Sequence, residues 1–233
     1  AITDRDSEQD NVILPIDENL PDYKGNNSNK SILNDSKYFY KGQQDDDDFD
    51  KLILEEFDLA LRKFITGVND TKVTNRYPVF TTNKDENGNY IYNHTKEPVL
   101  VETTDLVEYT IRIYNEGNIA GYAKEVKDNI PEGLEFLPEN DTNKDYRWKM
   151  LDKDGNETTD VSKAVSIVTD YLSKEQADAT NRDNLLLAFD QKQMQEPDHR
   201  DIKIAFKVTE PNTSDRIIIN YAQISDDSDE KGK

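Results

Sequence analysis

The chain has 233 residues, of which 49 are acidic and 29 basic, and its formal net charge of −20 repels phosphate and anionic lipid. Nucleic-acid binding and membrane insertion are therefore not expected, and no apolar run has the length of a transmembrane helix. There is no cysteine, so if the protein is secreted, something other than a disulfide must stabilise it.

The first 50 residues are polar, include the run Asp45–Asp48, and contain only short apolar islands. This composition predicts an extended acidic arm without a core of its own. A second acidic segment, 226–233, is predicted to be a linker to a following repeat. The segment between them, 51–225, is predicted to be a single folded domain, and the whole chain to be a piece of a longer protein.

Short strand signals recur through this middle segment, separated by turn signals such as Asn87-Gly88 and Asp154-Gly155. The pattern predicts an all-β sandwich. One helix is predicted over 173–190, where Ser173 is a candidate cap and Gln176 occupies the capping-box position. The predicted strands are 57–65, 99–102, 107–114, 122–129, 134–137, 146–150, 165–169, 200–208 and 217–224.

Two of these strands place a polar residue among their inward-facing apolar positions. Lys63 alternates in phase with Leu61 and Ile65, and Asn220 alternates in phase with Ile218 and Ala222. A lysine is almost never fully buried without compensation. The two phases therefore predict that Lys63 and Asn220 meet inside the core.

An inward lysine, an inward asparagine and an acid are what a spontaneous isopeptide bond requires. Asp105 leads the 107–114 strand in its inward phase and is the predicted proton shuttle, with Glu102 and Asp58 as the next candidates. Burial favours a neutral amine and a protonated acid. The acid would polarise the Asn220 amide and carry a proton to the departing ammonia. The bond would form once per chain, so it is maturation and not enzymatic turnover.

Alternative interpretations of the three residues stay open. Lys63 could bury only its stem and extend its amine to solvent. Asn220 could be a buried amide that satisfies a turn, and Asp105 could cap the turn before its strand.

Several segments resemble the DUF11 repeat, an immunoglobulin-like β-sandwich of bacterial surface proteins. They are LVEYTIRIYNEG (106–117), KDNIPEGLEF (127–136) and INYA (219–222), while FDLALRKFIT (57–66) is similar to the strand that opens such repeats in clostridial and related Gram-positive cell-wall proteins. The order Lys63, Asp105, Asn220 is similar to that in collagen-adhesin-type pilin domains with Lys–Asn bonds. The resemblance implies an extracellular, cell-wall-associated stalk or adhesin module.

The acidic ends admit two interpretations. Carboxylates are preferred ligands of Ca²⁺, and Asp4, Asp6, Asp226, Asp227 and Asp229 are the candidate ligands. A solvated linker explains the same charge run, and no complete EF-hand loop is present. No other cofactor is expected.

Three functional hypotheses follow. The first is a structural stalk repeat, whose partners are neighbouring repeats of the same chain. The second is an adhesive module that recognises a host or matrix ligand through its end loops. The third is an enzyme, for which the sequence offers no catalytic cluster beyond the crosslinking residues.

Overall fold

A computed structural model describes residues 54–211 and 216–233 of the chain. Residues Glu55–Lys233 belong to one compact unit. The predicted N-terminal arm lies outside the described residues, as do the candidate ligands Asp4 and Asp6.

The described unit is mostly β, as the strand signals predict. Its strands are β1 (Leu59–Val68), β2 (Thr71–Lys72), β3 (Val79–Lys84), β4 (Tyr90–Asn93), β5 (Leu106–Asn115), β6 (Gly121–Asn129), β7 (Leu134–Phe136), β8 (Lys149–Leu151), β9 (Glu157–Thr158), β10 (Ser166–Thr169), β11 (His199–Val208) and β12 (Ala222–Asp229). The helices are α1 (Asp141–Asp145) and α2 (Lys174–Thr180), with a 3-10 turn at Val161–Lys163.

Two five-stranded antiparallel sheets form the sandwich. The first sheet has the order β2-β1-β5-β11-β7, and the second has the order β12-β6-β10-β8-β9. Inward-facing residues of both sheets make one apolar core, in which Ile111, Ile202 and Ile167 are fully buried. The predicted all-β sandwich is confirmed, and its first and last strands lie in different sheets.

The long connection between β1 and β5 contains the β3–β4 hairpin, which forms a separate two-stranded sheet. Phe64 is on the opposite side of β1 from Lys63, yet it is buried beside the Tyr77 ring at 5.1 Å. Tyr92 of β4 stacks on Tyr114 of β5 at 4.4 Å. The connection therefore packs on the outer side of the first sheet, which explains why that side is partly apolar.

The two short helices have different origins. Ser173 caps α2 by accepting a hydrogen bond from the Gln176 amide, as the capping pattern predicts. However, α2 ends at Asn181, whose left-handed backbone stops the helix well before residue 190. The other helix, α1, was not predicted. It is held to β11 by Asn143, whose side chain hydrogen-bonds the backbone of Ala205 in both directions.

Two predicted boundaries are wrong. Residues 99–102 form no strand, since they lead into a turn at Thr104 that has a positive φ of 83°. The last strand begins at Ala222 instead of residue 217 and continues to Asp229. Asp226–Asp229 therefore pair with β6 in the second sheet and are not part of a linker.

Candidate functional site

Lys63 lies in the middle of β1, opposite Ile111 of β5. Its neighbours in phase, Leu61 and Ile65, pack against the core, and only 8% of the Lys63 side chain is exposed. The amine is therefore inside the sandwich, as the alternation predicts. Its one ion-pair partner among the described residues is Asp128, whose Oδ2 atom accepts a short hydrogen bond from Nζ.

Asp128 comes from the other sheet. It is in phase with Val126 on β6, and its side chain is fully buried. One carboxylate oxygen accepts from Lys63, while the other, Oδ1, is buried with no hydrogen-bond partner in the described chain. Lys63 and Asp128 therefore bridge the two sheets through the core.

Asn220 is brought to the same carboxyl group by the pairing of β12 with β6. Ala222 is opposite Asp128, and the Asn129 amide donates to the Tyr221 carbonyl at 3.1 Å. The Asn220 side chain lies close enough to lower the pKa of Asp128 by hydrogen bonding. Yet no well-aligned hydrogen bond joins them, and both Asn220 Nδ2 and Oδ1 are buried without a partner. The amide is thus at the site but not satisfied there.

Burial moves the pKa values of the pair toward the neutral forms. Desolvation lowers the pKa of Lys63 to about 8, against the opposing effect of the Asp128 charge. Desolvation also raises the pKa of Asp128, which Lys63 and Asn220 partly offset. A neutral amine beside a protonated acid therefore costs less free energy here than in water. These are the protonation states in which an amine attacks an amide.

Aromatic rings enclose the Lys63 amine. Nζ is 4.6 Å from the centre of the Tyr109 ring and 5.9 Å from that of Phe206. Burial, followed by the charge of Asp128, raises the pKa of Tyr109 to about 12, so its hydroxyl stays neutral. These rings exclude water from the amine and limit its positions, which favours reaction with a group held next to it.

Asp105, the predicted proton shuttle, does not lie beside Lys63. It precedes β5, and its carboxylate accepts hydrogen bonds from Asn69 Nδ2 at 2.9 Å and from the Glu102 amide at 2.7 Å. The hydrogen bond from Asn69 and that from Glu102 lower its pKa, the opposite of what a proton-carrying acid needs. The structure therefore does not bring Asp105 to Lys63, and the acid that lies beside Lys63 is Asp128. The reserve candidates Glu102 and Asp58 are both exposed.

Asp128 was missed although the sequence contains its signal. It alternates with Val126 and Ile130, the same period of two that singles out Lys63. The alternation is harder to recognise earlier in β6, because Ala123 and Val126 both face inward although they are three residues apart. The pairing of β6 with β12 is irregular at this place. The strand phase and the bulge together decide which acid reaches the core.

The described residues do not gather into a metal site. Within residues 54–211 and 216–233, no group of three or more acidic, histidine or cysteine side chains is placed so that it could hold a metal ion. Asp226 pairs with Lys124 at 2.6 Å, and Asp229 Oδ1 accepts from the Lys231 and Lys233 amides. Asp226, Asp227 and Asp229 therefore do not form the predicted calcium site by themselves.

Comparisons of the chain with protein-family models, curated proteins and solved structures found no match. Within the described part of the chain, no helix combines the length and apolar character needed to cross a membrane.

Proposed function

We propose that this chain is a structural module of an extracellular bacterial surface protein, and that an amide bond between Lys63 and Asn220 joins its two sheets. The observation that carries the proposal is the meeting of Lys63 and Asn220 at the Asp128 carboxyl group. Three atoms there, Asp128 Oδ1 and both polar side-chain atoms of Asn220, are buried without partners. Each unpartnered buried polar group costs on the order of 1–3 kcal/mol.

The reaction balances without any co-reactant. A proton passes from the Lys63 ammonium to Asp128, which leaves a neutral amine. The protonated acid then hydrogen-bonds the Asn220 carboxamide oxygen while Nζ attacks Cγ. The Cγ–Nδ2 bond breaks as Asp128 gives its proton to the departing nitrogen, which leaves as ammonia. Asp128 then accepts the second proton that Nζ loses, so that the new amide nitrogen keeps one hydrogen.

Position supports the reaction as much as acidity does. Nζ is held by Asp128 and by the rings of Tyr109 and Phe206. Asn220 is held close to the start of β12, where Tyr221 accepts a hydrogen bond from the Asn129 amide and Ala222 pairs with Asp128. Proximity of this kind replaces a bimolecular encounter and supplies a large effective concentration of the amine. Folding alone would therefore suffice to start the bond, and each chain would react once.

A structural role on a cell surface fits the rest of the chain. Without cysteine it cannot form disulfides. An amide would replace them and, unlike a disulfide, would resist reduction. The resemblance of residues 57–66, 106–117, 127–136 and 219–222 to DUF11 repeats supports a place among tandem modules of a stalk. Neighbouring repeats of the same chain would then be the principal partners.

Intact-mass spectrometry of the folded chain tests the proposal. The expected mass is lower than the sequence mass by one ammonia, and digestion should yield one branched peptide that contains both Lys63 and Asn220. Asn220→Ala should restore the full mass expected for its sequence. A wild-type mass equal to the plain sequence mass after prolonged incubation at neutral pH would refute the crosslink.

A further inference from the structure

A cluster of basic side chains lies on the outer side of the first sheet, where the β1–β5 connection packs. We call it the basic face, and it consists of Arg62, Arg76, His94 and Lys96. The hydrogen bonds of its three permanent cations go to backbone carbonyls: Arg62 to Leu61 at 2.7 Å, Arg76 to Glu97 at 2.7 Å and Lys96 to Lys63 at 3.1 Å. These contacts hold the cations in place but do not neutralise them.

It is unusual in so acidic a chain that these cations form no ion pair within the described residues. Glu116, whose pKa burial raises and the Arg62 charge partly lowers, is a nearby carboxyl group. Acidic residues outnumber basic ones by 49 to 29, and many cations elsewhere in the described chain pair with them. Examples are Arg112 with Asp201, Lys124 with Asp226, Lys149 with Glu157, Arg200 with Asp183 and Lys203 with Glu108. Within residues 54–211 and 216–233, no carboxylate forms an ion pair with Arg62, Arg76 or Lys96. Holding these like charges together costs free energy that a bound anion would offset.

Two buried nitrogens of the basic face have no hydrogen-bond partner among the described residues. They are Arg76 Nε and His94 Nδ1, and Arg76 as a whole is only 9% exposed. Burial, together with the charges of Lys96, Arg62 and Arg76, lowers the pKa of His94 to about 4, so that its ring is neutral at pH 7. A buried guanidinium N–H without an acceptor is a place for a ligand oxygen.

A shallow depression of about 520 Å³ lies at His94, and the residues directly before and after Arg76 also line it. Its lining combines tyrosine rings with amide and hydroxyl groups, contributed by Asn75, Tyr77, Tyr92, Asn93 and Thr95, and His94 is part of the same wall. Tyr92 also stacks under Arg62, whose Cζ is 4.3 Å from the ring centre. Aromatic faces bind the apolar side of a ring, while amides and hydroxyls exchange hydrogen bonds with hydroxyl groups.

We infer that the basic face binds the carboxylate of an acidic sugar, whose ring rests against Tyr77, the exposed tyrosine of the depression. Arginine suits a carboxylate because its guanidinium presents a planar fork of donors. A sugar fits better than an acidic peptide, since the lining offers side-chain amides and hydroxyls for several ring hydroxyls. The net charge of −20 opposes long polyanions and favours a short acidic group bound at one place.

The inference goes beyond the structural role and does not depend on the crosslink. Titration of the isotope-labelled full chain, followed by amide NMR shifts, tests it with a matched pair of probes: sialyllactose and lactose. A hyaluronan tetrasaccharide adds a second acidic sugar, and a tetra-aspartate peptide tests charge alone. Saturable shifts with an acidic sugar, centred on residues 75–77 and 92–96, and no shifts with lactose would support the assignment.

Two substitutions sharpen the test. Arg76→Lys keeps the charge but removes the Nε donor, and Lys96→Gln removes an exposed charge. Each should weaken binding by about tenfold through the loss of one charge-assisted hydrogen bond. Lys153→Gln removes the same charge in an exposed turn elsewhere and should leave binding unchanged.

Other outcomes would overturn the inference. It fails if neither acidic sugar causes saturable shifts, if lactose binds as well as sialyllactose, or if tetra-aspartate binds at least as tightly as the acidic sugars. The last outcome would identify a site for acidic peptides instead. Asn220→Ala should bind sugar like wild type, so failure of the crosslink and failure of the basic face are separate results.

Discussion

Lys63 of the first sheet and Asp128 of the second form a buried ion pair that connects the two layers of the sandwich. A buried pair of this kind pays a desolvation cost that its own attraction often fails to recover. Conversion of Lys63 to an amide would remove that cost, because the product carries neither the ammonium nor the need for a carboxylate beside it. The release of ammonia to water makes the change hard to reverse. Under the proposed function, the pair is the reactant state of the crosslink and not a stabilising end point.

The identity of the acid gives the first prediction. Asp128→Asn should fold and yet fail to form the crosslink, because an amide side chain cannot accept the Lys63 proton and return it to the leaving nitrogen. Its mass should stay at the full sequence value. Asp105→Asn is the matched control, since it changes a carboxylate of the β5 turn. Loss of ammonia from Asp128→Asn at the wild-type rate would show that another group carries the proton.

The pH dependence of stability gives the second prediction, made for the uncrosslinked Asn220→Ala variant. Its folded Lys63 has a pKa of about 8, below the ordinary 10.5 that applies when the chain is unfolded. Between these values the unfolded state binds more protons, so the free energy of unfolding should rise with pH through that window. Below about pH 8 the penalty of the buried ammonium is present in full.

Urea denaturation across this pH window measures the effect. In the crosslinked wild type, the free energy of unfolding should lack the increase with pH that comes from Lys63, because an amide nitrogen does not titrate in this window. Adding Lys63→Met to Asn220→Ala should abolish it as well, and the difference between the two variants cancels the titration of other groups. Parallel stability curves for the single and double variants would contradict the lowered pKa of Lys63.

Thermal and chemical stability give the third prediction. The crosslink would close a loop of about 157 residues, which the chain-entropy treatment of disulfides equates with about 5 kcal/mol of stabilisation. Asn220→Ala should therefore lower both the melting temperature and the urea midpoint substantially. Asn129→Ala, an exposed asparagine next to Asp128, is the matched control and should change little. If both variants melt alike, the bond does not stabilise the fold.

Most of the correct predictions rest on the alternation of inward-facing and outward-facing residues along each strand. The inward positions of β11 alternate strictly, and Ile202, Ile204 and Phe206 are all fully buried. The same rule put Lys63 in the core and Asn220 in phase with the residues that pack there. Local periodicity is a good guide where one face of a strand is buried and the strand pairs regularly.

Tertiary context decided what the sequence could not. Asp105 has the inward phase, but the chain turns at Thr104 before the strand begins, and the carboxylate completes that turn. Asp128 follows an irregular stretch of β6, whose pairing partner is remote in sequence. The burial of Arg76 depends on how a long connection packs over the sheet, which no local pattern contains.

Mechanical extension gives the last prediction. Force applied at residues 55 and 233 would reach the core along β1 from one side and along β12 from the other. In the crosslinked chain it would pass from Lys63 to Asn220 through the amide, and residues 64–219 would bear no load. Only residues 55–62 and 221–233 could be pulled out, releasing at most about 70 Å of chain.

Single-molecule force spectroscopy separates this path from that of an unlinked sandwich. Asn220→Ala should unfold completely and release about 600 Å, because all residues between the handles then extend. Asp128→Asn should behave in the same way if Asp128 is the proton carrier, since it removes the bond without touching either reacting residue. A wild-type chain that unfolds to the full length would show that the amide is absent, or that it does not lie on the path of the force.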